Sequence, residues 1–179
     1  MEKCARKKLA YSSIREKALW IDKFVDLYRA SCKRKTFPRK IVRDLLKLIF
    51  PESKHLGGGA FKQSYYVSAP RRDLVLKVGR ARDIERDMMT YMRLPASIRN
   101  RVFAKIYWCT SYTMLQKFGV RGRVPVSVIR RLKRLGTKYG VGDLSPRNIM
   151  KFGKSYKIVD AFPVTPRRVE KRASWRLRS

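Results

Sequence analysis

From Ser13 to Tyr28 the apolar residues Ile14, Ala18, Ile21, Val25 and Tyr28 fall three and four apart, and Trp20, Phe24 and Leu27 widen the stripe. That spacing predicts an amphipathic helix, and Ser13-Ile14-Arg15-Glu16 has the capping-box form expected at its start. After a polar break from Ser31 to Thr36, Pro38 suits a first helical turn, where its missing N–H costs nothing. Ile41, Val42, Leu45, Leu46 and Ile49 then predict a second amphipathic helix ending near Pro51. A basic amphipathic helix can bind a membrane surface or a calmodulin-like partner, but packing on the rest of the domain is the simpler use.

From residue 56 the period changes. A Gly57-Gly58-Gly59 turn, the run Ser64 to Ala69, a polar turn from Pro70 to Asp73 and Leu74-Val75-Leu76-Lys77-Val78 predict strand, turn, strand. Ile84, Met88, Tyr91 and Met92 give helical spacing from Asp83 to Leu94, and Val102 to Trp108 and Tyr112 to Gln116 read as two more strands. Val124, Val128, Ile129, Leu132, Leu135 and Tyr139 share one helical face that stops before Gly140. Short strands are expected at Ile149 to Phe152 and Tyr156 to Val159, with a basic irregular or short helical tail from Pro163. No internal repeat is visible, and the order of elements predicts an α+β fold.

Composition adds a partner. The chain has 179 residues, 44% of them hydrophobic, which is enough for one core or two small lobes. Its 45 Lys and Arg against 13 acids give a net charge of +32, which attracts polyanions such as nucleic acids, nucleotides or acidic membranes. A solvated basic surface kept for solubility is the plainer alternative. Residues 1–50 carry 15 cations against 5 acids, so the charge is not a detachable tail. Cys4, Cys32 and Cys109 are odd in number and widely spaced, which predicts reduced thiols in an intracellular protein. With His55 as the sole histidine, a His-based metal site, a Ser-His-Asp triad and a Cys-His dyad find no supporting pattern. The chain shows neither a signal peptide nor an apolar run of spanning length, so a cytoplasmic protein with no membrane span is expected.

The chemistry concentrates near the C-terminus. Beyond residue 87 the acids are Asp143, Asp160 and Glu170 alone, and the first two fall in one pattern, Gly142-Asp143-Leu144-Ser145-Pro146-Arg147-Asn148-Ile149-Met150 followed by Asp160. Asp143 and Asn148 lie in a loop constrained by Pro146, and Asp160 ends the strand Ile158-Val159, where it can meet the same cation. Magnesium takes one or two carboxylates plus phosphate oxygens, so the set suits phosphoryl transfer. The structural alternative is a turn in which Asp143 caps local amides and Asn148 takes a left-handed conformation. Upstream, Gly57, Gly58 and Gly59 let backbone amides approach phosphate oxygens, although a plain hairpin turn would look alike. Lys77 sits between apolar residues on a strand that otherwise reads as buried, and Glu85 on the next helix could orient it, with Asp87 as the rival. An edge strand with a solvated lysine, and ordinary exposed helix acids, are the alternatives here.

In these motifs residues 56–162 resemble the protein-kinase-like superfamily. The form Gly-Asp-Leu-Ser-Pro-Arg-Asn-Ile-Met is especially similar to aminoglycoside- and choline-type phosphotransferases and small atypical kinases. The resemblance implies a minimal bilobal kinase-like fold: an N-terminal helical extension over 1–50, an N-lobe over 51–118 and a truncated C-lobe over 119–179. It implies that ATP and Mg2+ are bound, with Gly57 to Gly59 covering the nucleotide, Lys77 on the phosphates, Glu85 paired with Lys77, and Gln116, Lys117 and Phe118 as the adenine-binding hinge. Asp143 would be the catalytic base, and Asn148 and Asp160 the magnesium ligands. The implied activity is transfer of the terminal phosphate to a hydroxyl on a protein or small molecule, with nucleic acid or an acidic protein engaged through the basic surface. A non-catalytic kinase-like module that binds such a polyanion is the alternative. The sequence departs from the family at Val141, where a histidine is usual, at Lys62 in place of a third loop glycine, and at Asp160-Ala161-Phe162 in place of Asp-Phe-Gly. With 19 residues after Asp160, a conventional peptide-docking platform is expected to be missing.

Overall fold

A computed structural model describes residues 2–32, 37–59, 62–69 and 72–164. The end of the polar break (residues 33–36), the turn at Pro70 and Arg71, the tail beyond Val164 and the side chain of Cys4 lie outside them. The fold is α+β and forms two compact units, residues 1–85 with 106–118 and residues 86–105 with 119–179.

The first unit is built on the two N-terminal helices, α1 (Glu2–Cys32) and α2 (Arg39–Ile49), and an antiparallel sheet. The sheet contains β1 (Lys54–Gly58), β2 (Lys62–Ala69), β3 (Arg72–Gly79), and, from further along the chain, β4 (Ile106–Cys109) and β5 (Thr113–Lys117), ordered β1-β2-β3-β5-β4. Strand alternation fixes its two faces. Tyr65, Leu76 and Leu115 stand on one rung, and with Leu74, Val78 and Val67 they form a core with Ile14, Ile21 and Val25 of α1 and Val42 and Leu46 of α2. α1 and α2 therefore share the hydrophobic core of the sheet. The capping box at Ser13 is overridden, because α1 is already under way there.

Polar contacts fasten α1 to the β4–β5 hairpin. The Asp22 carboxylate accepts from the Ser111 amide (2.9 Å), the Tyr112 amide (3.2 Å) and the Thr110 hydroxyl (3.0 Å). Tyr112 donates its phenol to Asp26 at 2.6 Å and receives Arg29 at 3.1 Å. Burial pushes the Asp22 carboxyl above its ordinary value, against the opposing pull of the three hydrogen bonds. A folded-state pKa raised in this way favours the fold below the unfolded value and loses that contribution as pH rises through the folded value. Relative to Asp22→Asn, the parent should therefore gain stability as pH falls through the carboxylate range. Urea unfolding of both proteins at neutral and acidic pH checks this, and a difference that is flat with pH would contradict it.

The second unit follows from α3 (Ala81–Met92), within which the division between units falls, and α4 (Ala96–Val102). After β5 come α5 (Val126–Tyr139), β6 (Val141–Gly142), a 3-10 turn at Pro146–Asn148, the hairpin of β7 (Ile149–Phe152) and β8 (Ser155–Ile158), and β9 (Phe162–Pro163). α5 ends as expected at Gly140, whose φ of 63° is the left-handed conformation that a glycine adopts without a Cβ penalty. Val102 closes α4 and does not open a strand.

Among the described residues no helix is long and apolar enough to cross a membrane. Cys32 is exposed and Cys109 half-buried, both free, and burial pushes the Cys109 thiol up and away from the reactive thiolate.

Candidate functional site

In the second unit, two short ladders bring the C-terminal pattern together. β6 pairs with β9 through Val141↔Pro163 and Gly142↔Phe162, so Asp143, just after β6, and Asp160, two residues before β9, leave the same end of one antiparallel ladder. β7 pairs with β8 through Ile149↔Ile158, and the Val159 amide donates to the Asn148 carbonyl at 2.9 Å, which ties Asn148 to the residue before Asp160. The backbones of Asn148 and Asp160, five and seventeen positions from Asp143 in sequence, are thus brought near it by the 3-10 turn at Pro146–Asn148 and by the β7–β8 hairpin enclosed in the β6–β9 ladder.

Asp143 has a φ of 56° and is the one non-glycine residue with positive φ among those described. Asn148, expected in that conformation if the loop were a plain turn, lies instead in the 3-10 turn. A left-handed conformation costs a side-chain-bearing residue about 1 kcal/mol, less for Asp and Asn. Hydrogen bonds hold it: Asn148 Nδ2 donates to the Asp143 carbonyl at 2.9 Å, and the Asn148 amide donates to the Ser145 carbonyl at 3.0 Å. Because a carbonyl only accepts, the amide group must present nitrogen there, and Asn148 Oδ1 is the atom left to meet a cation. Arg147 reaches the Asp143 carboxylate at 3.9 Å from an exposed position. Val141 is buried in the β6 ladder.

Ser145 was not singled out by the sequence. Its hydroxyl is buried and has no hydrogen-bond partner among the described residues. A serine inside a turn-forming stretch carries no signal of its own; only its burial marks it.

The upstream residues sit in the first unit. Lys77 is 5% exposed on the sheet face opposite the helical core, on a rung with Ser64 and Met114. A solvated edge-strand lysine is therefore not what the fold contains: β3 is central in the sheet. The glycines close the β1–β2 hairpin, an element not expected before Ser64. Gly57 has a φ of 116° at a bulge, Gly58 leaves no room for a Cβ beside the Lys62 carbonyl, and the Gly59 amide donates to that carbonyl at 3.0 Å. Gln116 is buried and Lys117 exposed at the end of β5, and Phe118 packs edge-on to Tyr66 with ring centroids 5.3 Å apart. The chain passes between the units at Phe118 and Gly119.

Glu85 departs from expectation. It is exposed, whereas Asp83 and Asp87 are buried, as are Ile84, Thr90 and Tyr91, while Met89 is 55% exposed. The inward face of α3 is thus rotated from the one centred on the methionines, and it turns Asp87 inward and Glu85 outward. Asp83 Oδ2 accepts from Arg80 at 2.6 Å.

Among the described residues no group of three or more His, Cys, Asp or Glu side chains is placed to hold a metal. No protein-family model and no curated protein matches the chain.

Proposed function

We propose that the chain is a minimal kinase-like phosphotransferase with two lobes, using ATP and magnesium to phosphorylate a hydroxyl on a protein or small molecule. The observation that carries the reading is the convergence of Asp143, Asn148 and Asp160 through two hairpin ladders, in a unit that otherwise has few acids. A burial of Lys77 that a polyanion-binding surface would not need supports it from the first unit.

In this reading Asn148 Oδ1 and the Asp160 carboxylate would hold magnesium, which when bound offsets phosphate charge. The Asp143 carboxylate orients the acceptor hydroxyl and takes its proton as the oxygen attacks. Lys77 would offset negative charge on the phosphates, the glycine hairpin, whose Gly59 amide is already given to the Lys62 carbonyl, would cover the nucleotide, and the Ser145 hydroxyl would add a donor. Gln116 to Phe118 serve as the adenine-side hinge.

Glu85 and Asp87 are the two acids proposed to orient Lys77, and they differ in setting: Glu85 is exposed, where a carboxylate gains little from an ion pair, and Asp87 is buried. Glu85→Ala should leave phosphotransfer near the parent level and Asp87→Ala should lower it by about tenfold or more, a loss of about 1.4 kcal/mol of transition-state stabilisation. The reverse order would return the role to Glu85.

Incubation of the protein with γ-labelled ATP and a mixed lysate tests the activity itself. Label should appear with magnesium in the parent and be lost in Asp143→Asn and in Asp160→Asn. Undiminished labelling in both variants would overturn the site.

A further inference from the structure

We propose that the outward face of α5 binds the phosphate backbone of double-stranded nucleic acid, independently of phosphotransfer. α5 has 14 residues, of which Arg130, Arg131, Lys133, Arg134 and Lys138 are cations and none is an acid. All five are exposed. At 100° per residue they fall within an arc of about 160°, and Arg130, Arg134 and Lys138 repeat at steps of ~6 Å along the axis. Arg121 and Arg123, in the segment leading into the helix, are exposed as well.

The opposite face is committed to the fold. Leu132 and Gly136 are buried, and Gly136 lies so close to the following loop that a Cβ would come within 2.6 Å of the Val141 carbonyl. The charged face therefore projects outward by necessity. Acids are few beside it: among the described residues of this unit they are Asp87, Asp143 and Asp160, against five cations on α5 alone.

The composition of the face selects the partner. An interfacial membrane helix needs an apolar side to immerse, and the exposed apolar residue of α5 is Val126 alone, at its start. A protein partner would need aromatic or aliphatic anchors at the centre of the interface, and the centre of this face has none. Single strands are gripped by aromatic platforms that stack bases; Tyr139, the aromatic residue of α5, falls on the inward side of the helix. What remains is a row of guanidinium and ammonium groups, three of the five being arginines, which bind phosphate through paired hydrogen bonds and read no bases.

Fluorescence anisotropy with a labelled DNA duplex of about 20 base pairs, two helical turns, measures this directly. The informative comparison is Arg130→Ala/Arg131→Ala/Arg134→Ala against Arg39→Ala/Lys40→Ala/Lys47→Ala, an equal loss of charge at exposed positions of α2. Losing three phosphate contacts should lower the slope of log affinity against log salt by about 2.7, and the α2 variant should keep the parent slope. Because the α5 positions are exposed, the unfolding midpoint of that variant should match the parent. Equal weakening by both variants would show diffuse attraction to the whole chain and overturn the proposal. So would tighter binding to a single strand of equal length, or to phosphatidylserine vesicles, than to the duplex.

Discussion

Asp143→Asn should abolish phosphotransfer, lowering the rate by about 10² to 10⁴-fold, the range spanned by a positioned general base, while the protein unfolds close to the parent midpoint. Both halves follow from the same geometry. Asp143 sits at φ 56°, a conformation that asparagine tolerates nearly as well as aspartate, so the loop keeps its shape. The bond from Asn148 Nδ2 goes to the Asp143 carbonyl, which the substitution leaves in place. Only the carboxylate is lost, together with its approach to Arg147. Asp143→Ala removes the carboxylate and adds backbone strain, and should cost about 1 kcal/mol more stability than the asparagine variant. Thermal unfolding of the pair beside their transfer rates separates chemistry from folding. A stable Asp143→Asn that still transfers phosphate would remove Asp143 as the base.

Gly136→Ala should destabilise the second unit by about 1 to 3 kcal/mol, although replacing glycine by alanine inside a helix ordinarily stabilises by about 1 kcal/mol. The new methyl would press on Leu144 Cδ1 and come within 2.6 Å of the Val141 carbonyl oxygen. Leu144 can shift its side-chain end, but the carbonyl belongs to the β6 backbone and moves only with the ladder that carries Asp143. Activity should therefore fall along with stability. Gly122→Ala is the matched control, because nothing lies within 4 Å of a Cβ there. Equal unfolding midpoints for the two variants would contradict the close approach of α5 to the loop.

Legibility in the sequence followed the strength of the local signal. α5, its glycine stop and the β7–β8 hairpin lie where periodicity and turn chemistry agree. β1 was hidden because Lys54–Gly58 holds one large apolar residue, Leu56, and that residue is itself exposed. α4 was hidden because Ala96–Val102 shows no apolar stripe, with Val102 alone buried. β6 and β9 are two residues each and exist only through their pairing, which no local pattern announces.

The site was legible in a similar way. The spacing of Asp143, Asn148 and Asp160 spans a 3-10 turn and the β7–β8 hairpin, both of which have local turn signals, whereas the β6–β9 ladder that closes around them has none. Which residue would adopt the left-handed conformation depends on the hydrogen bond from Asn148 across the loop, a tertiary detail. The choice among the acids of α3 turned on a rotation of its buried face that left Met89 and Met92 half-exposed and drew Asp83 and Asp87 inward. Hydrophobic periodicity places polar residues poorly when acids occupy the inward positions, because it assumes that apolar residues take them.

Calorimetric titration of a non-hydrolysable ATP analogue, with magnesium and with chelator, into the parent and Asp160→Asn tests the proposed nucleotide site most directly. Magnesium should strengthen binding to the parent by about tenfold or more, and that gain should vanish in the variant. Equal affinity with and without magnesium in the parent, or an undiminished gain in Asp160→Asn, would contradict it.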